Sequence, residues 1–303
     1  MRIACLSGGV GGAKLACGLQ DVLGAGELTV IGNVGDDVCV LGLHVSPDLD
    51  SVLYALAGLN DEERGWGRAG ETWRTLEAAR HWGGEGWFSL GDLDLGLHLV
   101  RTQALRAGDP LSAVTARLAD AAGLATLLLP ATDDPLRTSV VTPGGTFPFQ
   151  EWFVARGHED EVDAMVFAGA DAARPAPGVL EAIRDADAVV VAPSNPYTSI
   201  HPMLAVDGLR EAVVARRGRT VAVSPLVGGR AVKGPLDRML TRMAGGTSPA
   251  HVTRCYEGLI GALVIDRADA PAEADVPLVV TDTLMIDRDA ARRLAEVVLE
   301  VVV

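Results

Sequence analysis

Four aspartates, Asp36, Asp37, Asp48 and Asp50, fall within the stretch "NVGDDVCVLGLHVSPDLD". Magnesium is usually held by one or two carboxylates, with water and substrate phosphates completing its oxygen shell. Carboxylates at this density fit metal-assisted chemistry at phosphate. Asp37, just past an apolar run, and Asp50 are the candidate metal ligands and catalytic residues. For Asp48 a local account competes. Ser46 can N-cap a helix that has Pro47 at its first position, and acids in that first turn offset the dipole.

A second group lies in "SGGVGGAKLACGL" at the amino terminus. Short β-prone residues precede the glycines, and helix formers with Leu15, Leu19 and Leu23 follow. This is a strand-to-helix turn, where backbone N–H groups and the helix dipole favour an anion. The dinucleotide pattern G-x-G-x-x-G fits Gly9 and Gly11, then meets Lys14 where the third glycine belongs. The phosphate loop G-x-x-x-x-G-K-[ST] needs a glycine at Ala13 and a hydroxyl at Leu15. Neither pattern matches. Any α/β chain can use glycine for a tight first turn, but a cation in the first helical turn opposes the dipole and points to phosphate. Gly9, Val10, Gly11, Gly12 and Lys14 are therefore candidate phosphate-side residues.

Ser194 and Asn195 stand between two prolines in "VVVAPSNPYTSIHP". Asn195 suits either pairing with a base edge or capping the next helix. Gly228 and Gly229, beside Arg230 and Lys233, form either a diphosphate cradle or a surface loop with two solvated cations. His98, in "GDLDLGLHLVR", is the one histidine near other polar candidates, Asp92 and Arg101; a lone histidine on an apolar helix also serves structure. No G-x-S-x-G elbow is present, which favours direct transfer to a substrate hydroxyl over a covalent intermediate.

Apolar runs at residues 3–6, 28–31, 188–192, 221–223, 262–265 and 278–280 read as strands buried on both faces. Ser7-Gly8-Gly9, Asn33, Ser194-Asn195 and Ser224 each follow such a strand, at the edge where open α/β sheets bind ligands. Residues 58–130 carry Trp66, Trp73, Trp82 and Trp87 and mostly helical periodicity. The expected fold is a three-layer, Rossmann-like α/β core with a mostly parallel sheet, built from residues 1–57 and 131–303. Residues 58–130 form a helical insertion capping the ligand crevice. A hairpin is expected around Gly144-Gly145, and a packed helix at the carboxyl end.

With 303 residues and 22% of them charged, the chain suits a globular core. Its net charge of −14 argues against a nucleic-acid surface, yet a few placed cations suffice for a small phosphorylated ligand. The four cysteines lack C-x-x-C or zinc spacing. They fit a reducing cytoplasm. The apolar end segment is too short to span a membrane.

Taken in order, "SGGVGGAK", "NVGDD", "SPDLDSVLYAL", "ERGWG", "LGDLDLGLHLVRTQ", "LPATDDP", "FQEWFV", "APSNPYTSIHP", "VSPLVGG" and "TDTLM" resemble the 2-phospho-L-lactate transferase family of coenzyme F420 biosynthesis. The resemblance implies a guanosine-diphosphate-linked donor carrying a lactyl or enolpyruvyl acid, and the deazaflavin Fo as acceptor. It also implies Mg²⁺, attack of the ribityl hydroxyl on the β-phosphorus, release of GMP, and a homodimer. Asp50, Asp92, His98 and Arg101 are the acceptor-side residues it implies; the glycine turn, Ser194, Asn195, Gly228 and Gly229 are the donor side. One departure stands out. The family motif G-D-R-D reads Gly91-Asp92-Leu93-Asp94 here, so a cation is missing at Leu93, and Arg101 is the residue available to compensate. A non-catalytic sugar-nucleotide-binding relative of the same superfamily is the rival reading.

Overall fold

The computed structural model describes residues 1–302. Its main sheet contains β1 (Ile3–Ser7), β2 (Leu28–Gly32), β3 (Leu127–Pro130), β4 (Ala188–Val191), β5 (Thr220–Val223), β6 (Ala262–Asp266) and β7 (Leu278–Thr281). They lie in the order β7-β6-β5-β4-β1-β2-β3, and every neighbouring pair is parallel. The expected α/β architecture is present. Residues such as Val189, Val190, Val221 and Val264 are almost wholly buried, as strands covered by helices on both faces require. The order reverses between β1 and β4, so the chain leaves these two strands in opposite directions and opens a crevice beyond their carboxyl ends.

Helix α1 (Gly9–Val22) starts at that crevice and packs along α2 (Pro47–Leu56) and the terminal helix Arg288–Val302. The glycines of its first turn have a packing cause. A Cβ on Gly11 would lie 2.7 Å from the Pro193 carbonyl oxygen, and one on Gly12 would lie 2.5 Å from both the Ser7 and Ser194 hydroxyls. Glycine lets the loop after β4 close onto α1. Gly11→Ala is therefore expected to destabilise the protein by about 1–3 kcal/mol, the scale of overpacking against unyielding backbone. A urea midpoint matching the natural protein's would refute this.

The segment expected as an insertion holds α3 (Arg74–His81), α4 (Asp92–Arg106) and α5 (Leu111–Ala121). Its far boundary differs from expectation. Leu127–Pro130, placed in the insertion by sequence, is the edge strand β3 and pairs with β2 from Thr29↔Leu127 to Gly32↔Pro130. At four residues it was too short to separate from a helix end by periodicity. A small hairpin, Val38–Val40 with Leu43–Val45, packs through Val40 and Val45 on Leu90 and Leu95. That contact brings α4 over the carboxyl end of β2. The expected hairpin forms from Arg137–Thr142 and Gly145–Pro148, joined by Ala164–Ala168 in a three-stranded antiparallel sheet. Among the described residues no helix is long and apolar enough to cross a membrane. All four cysteines are free, and burial pushes the Cys5 thiol up to about 12.

Candidate active site

Asp36, Asp37, Asp48 and Asp50 are 3%, 6%, 8% and 5% exposed and converge at the carboxyl end of β2. Asn33, the residue after β2, organises two of them. Its amide donates to Asp36 Oδ1 (3.3 Å), Asp48 Oδ2 (3.0 Å) and the Thr198 carbonyl, while its own oxygen accepts from Gly35 N. Gln150 donates to Asp36 Oδ2 at 3.2 Å. Ser46 joins the other two: its hydroxyl donates to Asp37 Oδ2 (3.0 Å), and its N–H to Asp50 Oδ2 (3.3 Å). His44 Nε2 lies 2.8 Å from Asp37 Oδ2. Asp37 Oδ1 is buried with no hydrogen-bond partner.

This arrangement revises the capping account of Asp48. Ser46 and Pro47 do begin α2, but the Ser46 hydroxyl turns to Asp37 and makes no cap bond. Asp48 lies in the first turn of α2, as the capping account has it, and it also faces a second helix. Its carboxylate accepts from Asn33 at 3.0 Å and lies against Gly8 and Gly9 at the start of α1, the end of a helix that favours an anion.

Burial and neighbouring carboxylates oppose ionisation across the cluster. Burial first, then Asp48 and Asp37, hold Asp36 well above the usual carboxylate range. Burial pushes Asp48 up to about 6, against the opposing effect of its hydrogen bonds. The folded form thus binds protons that the unfolded chain, titrating near ~3.9, releases. A carboxyl raised in this way stabilises fully below the unfolded value, and the benefit fades as pH rises through the folded value. We expect stability to fall between about pH 4 and pH 6, at up to ~1.4 kcal/mol per pH unit for one group. Thermal unfolding in chelator should show a higher midpoint at pH 5 than at pH 7.5; the reverse order would contradict the assignment.

Asp50 sits between this cluster and α4. Arg101 grips it bidentately, NH1 to Oδ2 at 2.9 Å and NH2 to Oδ1. His98, 1% exposed, lies between Asp50 and Asp94. Four predicted residues, Asp37, Asp50, His98 and Arg101, thus form one buried group. Arg101 is 2% exposed and committed to Asp50, so its guanidinium does not replace a surface cation at Leu93, which is 43% exposed.

Asp92 stands apart and is half-exposed. Its carboxylate accepts from Thr72 Oγ1, Arg74 N and Thr75 N at the start of α3, and these bonds hold its carboxyl down at about 2. In return Glu71 accepts from Leu93 N and Asp94 N at the start of α4. Two helices exchange caps.

On the other side of the crevice, the Ser194 hydroxyl accepts from Gly8 N (3.0 Å) and donates to the Gly8 carbonyl (2.7 Å). The loops after β1 and β4 are thereby tied at the point where strand order reverses. Gly9 has φ +63° and Gly9, Val10 and Gly11 are half-exposed. Lys14 is turned away, its Nζ donating to the Met285 carbonyl at 2.7 Å. Asn195 adopts the capping alternative, accepting from Tyr197 N, while its amide faces Met239 Sδ at 3.5 Å. Gly228 and Gly229, with φ +58° and +71°, make the turn of a two-stranded ribbon. The Gly229 N–H donates to Asp269 Oδ1, so a carboxylate already occupies that turn.

Sequence reading did not select Asn33, Gln150, Tyr54 or Asp94 as site residues. Asn33 carried a signal, its place at a strand end. Gln150 carried none, because the hairpin that delivers it is remote in sequence.

The 2-phospho-L-lactate transferase CofD family model matches residues 3–301. A phosphoenolpyruvate transferase of Streptomyces griseus is 43% identical, over 99% of this chain and 98% of that protein. One from Thermobifida fusca is 44% identical, over 89% and 88%. Among solved structures, a UPF0052-family protein from Bacillus halodurans superposes with a TM-score of 0.64 at 18% identity, covering 98% of both chains. That likeness concerns the fold alone.

Proposed function

Because the chain belongs to the 2-phospho-L-lactate transferase CofD family, and is therefore a transferase, we propose that it moves a phosphoenolpyruvyl group onto the deazaflavin Fo. The donor is the guanosine-diphosphate-linked acid. The ribityl oxygen forms a bond to the β-phosphorus and loses its proton to water, while the bond from that phosphorus to the bridging oxygen breaks and GMP leaves. The enolpyruvyl donor is favoured over the lactyl one because similar proteins at 39–44% identity carry the name phosphoenolpyruvate transferase.

The observation that carries the mechanism is Asp37 Oδ1, a buried oxygen without a partner among four crowded carboxylates. Asp37 and Asp50 are the ligands we assign to Mg²⁺; among the described residues no three acidic, histidine or cysteine side chains are gathered as a metal site, so substrate phosphates and water would complete the shell and Asp50 would be shared between the ion and Arg101. When bound, the ion would neutralise charge on the phosphates during transfer. The chain's own residues position the rest. Arg101 fixes Asp50, Ser46 spaces Asp50 from Asp37, and Ser194 holds the glycine turn. A donor phosphate arriving at α1 would meet the start of the helix that the Asp48 carboxylate now faces. On the acceptor side, Asp92 acts through the α3–α4 junction that it caps.

The test is mass spectrometry of products from the protein, Fo, Mg²⁺ and the two guanylated donors in competition. GMP together with the enolpyruvyl-bearing deazaflavin is expected. A lactyl product would overturn the donor assignment, and absence of GMP the whole reading.

A further inference from the structure

Asp94 lies on α4, one turn before His98, and the function proposed above gives it no task. Its Oδ1 accepts the Tyr54 hydroxyl from α2 and lies 3.2 Å from His98 Nε2. On the far side of the ring, His98 Nδ1 is 3.4 Å from Arg101 NH1 and 3.8 Å from Asp50 Oδ2. Arginine carries only donors, so a neutral ring presents its lone pair at Nδ1. The hydrogen is then on Nε2, which makes no hydrogen bond but lies 3.2 Å from the Asp94 carboxylate, close enough for its charge to favour an N–H there.

We propose that Asp94 is a positioning residue: it holds His98 as the Nε2–H tautomer and so keeps Arg101 locked on Asp50. With the hydrogen on Nδ1 instead, the ring would point a donor at a guanidinium donor and push it from its place. The carboxylate that orients an imidazole also fixes its tautomer. Tyr54 holds Asp94 from the opposite side, so the line Tyr54–Asp94–His98–Arg101–Asp50 spans α2 and α4 without reaching solvent at His98 or Arg101.

The tautomer part stands on geometry alone, whereas its consequence for turnover rests on the proposed function. Ring ¹⁵N shifts of ¹⁵N-histidine-labelled protein read the first, with His98 assigned by its loss in His98→Gln. The natural protein should show Nε2–H, and Tyr54→Phe should keep it. Asp94→Asn, which removes the charge and offers an amide donor, should move the ring to Nδ1–H or to a mixture. It should also lower kcat by about ten- to a hundredfold, the range for such outer partners, with donor KM within about twofold. Nδ1–H in the natural protein or in Tyr54→Phe would overturn the proposal, as would an unchanged ring in Asp94→Asn. A flipped ring with unchanged kcat would remove the positioning role. If the ring behaves as expected and the natural protein forms no product, the functional reading has failed and the tautomer assignment has not.

Discussion

Arg101→Ala is expected to destabilise the protein by about 3–5 kcal/mol, the cost of leaving one partner of a buried ion pair behind. The partner left is Asp50, 5% exposed and close to Asp37 through Ser46. Removing the guanidinium also strips His98 Nδ1 of its neighbour. Proximity of like charges makes this worse, because Arg101 is the one arginine among the described residues that pairs with the cluster. Arg101→Lys should recover part of the loss, since an ammonium restores charge but not the two parallel bonds of the guanidinium. Denaturant unfolding of the three proteins at pH 7.5 measures this. A deficit below about 1 kcal/mol for the alanine variant would mean that solvent reaches Asp50 and that the pair is not the structural centre described here.

The legible part of this site was its chemistry along the chain. Strand-end positions and carboxylate density pointed to Asp37 and Asp50, and the family resemblance grouped His98 and Arg101 with Asp50. Illegible was how side chains are shared between elements. Asp48 obeys the rules for the first turn of its own helix, yet its carboxylate also lies against the start of α1. Asp92 and Glu71 cap each other's helices across a loop. Such exchanges depend on tertiary packing, which no local propensity contains. The glycine turn illustrates the same limit from the other direction. Its sequence suggested room for phosphate, whereas the structure shows that Gly11 and Gly12 are also required for the approach of Pro193 and Ser194. Lys14 was read as a phosphate cation and instead ties α1 to the segment before the terminal helix. A single lysine does not disclose which of two nearby carbonyl or phosphate oxygens it will meet.

Asp37→Asn should separate function from stability more sharply than any other change. If Asp37 holds Mg²⁺ at the transferring phosphate, losing its charge should cut turnover by about a hundredfold or more, matching the ~3 kcal/mol typical of preorganised electrostatic groups. Folding should respond in the opposite sense. The Asp37 charge raises the cost of ionising both Asp36 and Asp48, so its removal relieves repulsion near neutral pH. An asparagine oxygen can still accept from Ser46, and the unpartnered Oδ1 position loses a buried charge. The variant should therefore unfold at an equal or higher temperature than the natural protein at pH 7.5 in chelator, by a margin on the order of 1 kcal/mol. Added Mg²⁺ should raise the midpoint of the natural protein and leave the variant's nearly unchanged, because only a ligand bound to the native state shifts folding. Turnover near the natural value would remove Asp37 from the reaction. A less stable variant would show instead that its carboxylate, with Ser46 and His44, is a net stabilising contact, and that the cluster does not store the repulsion a cation would relieve.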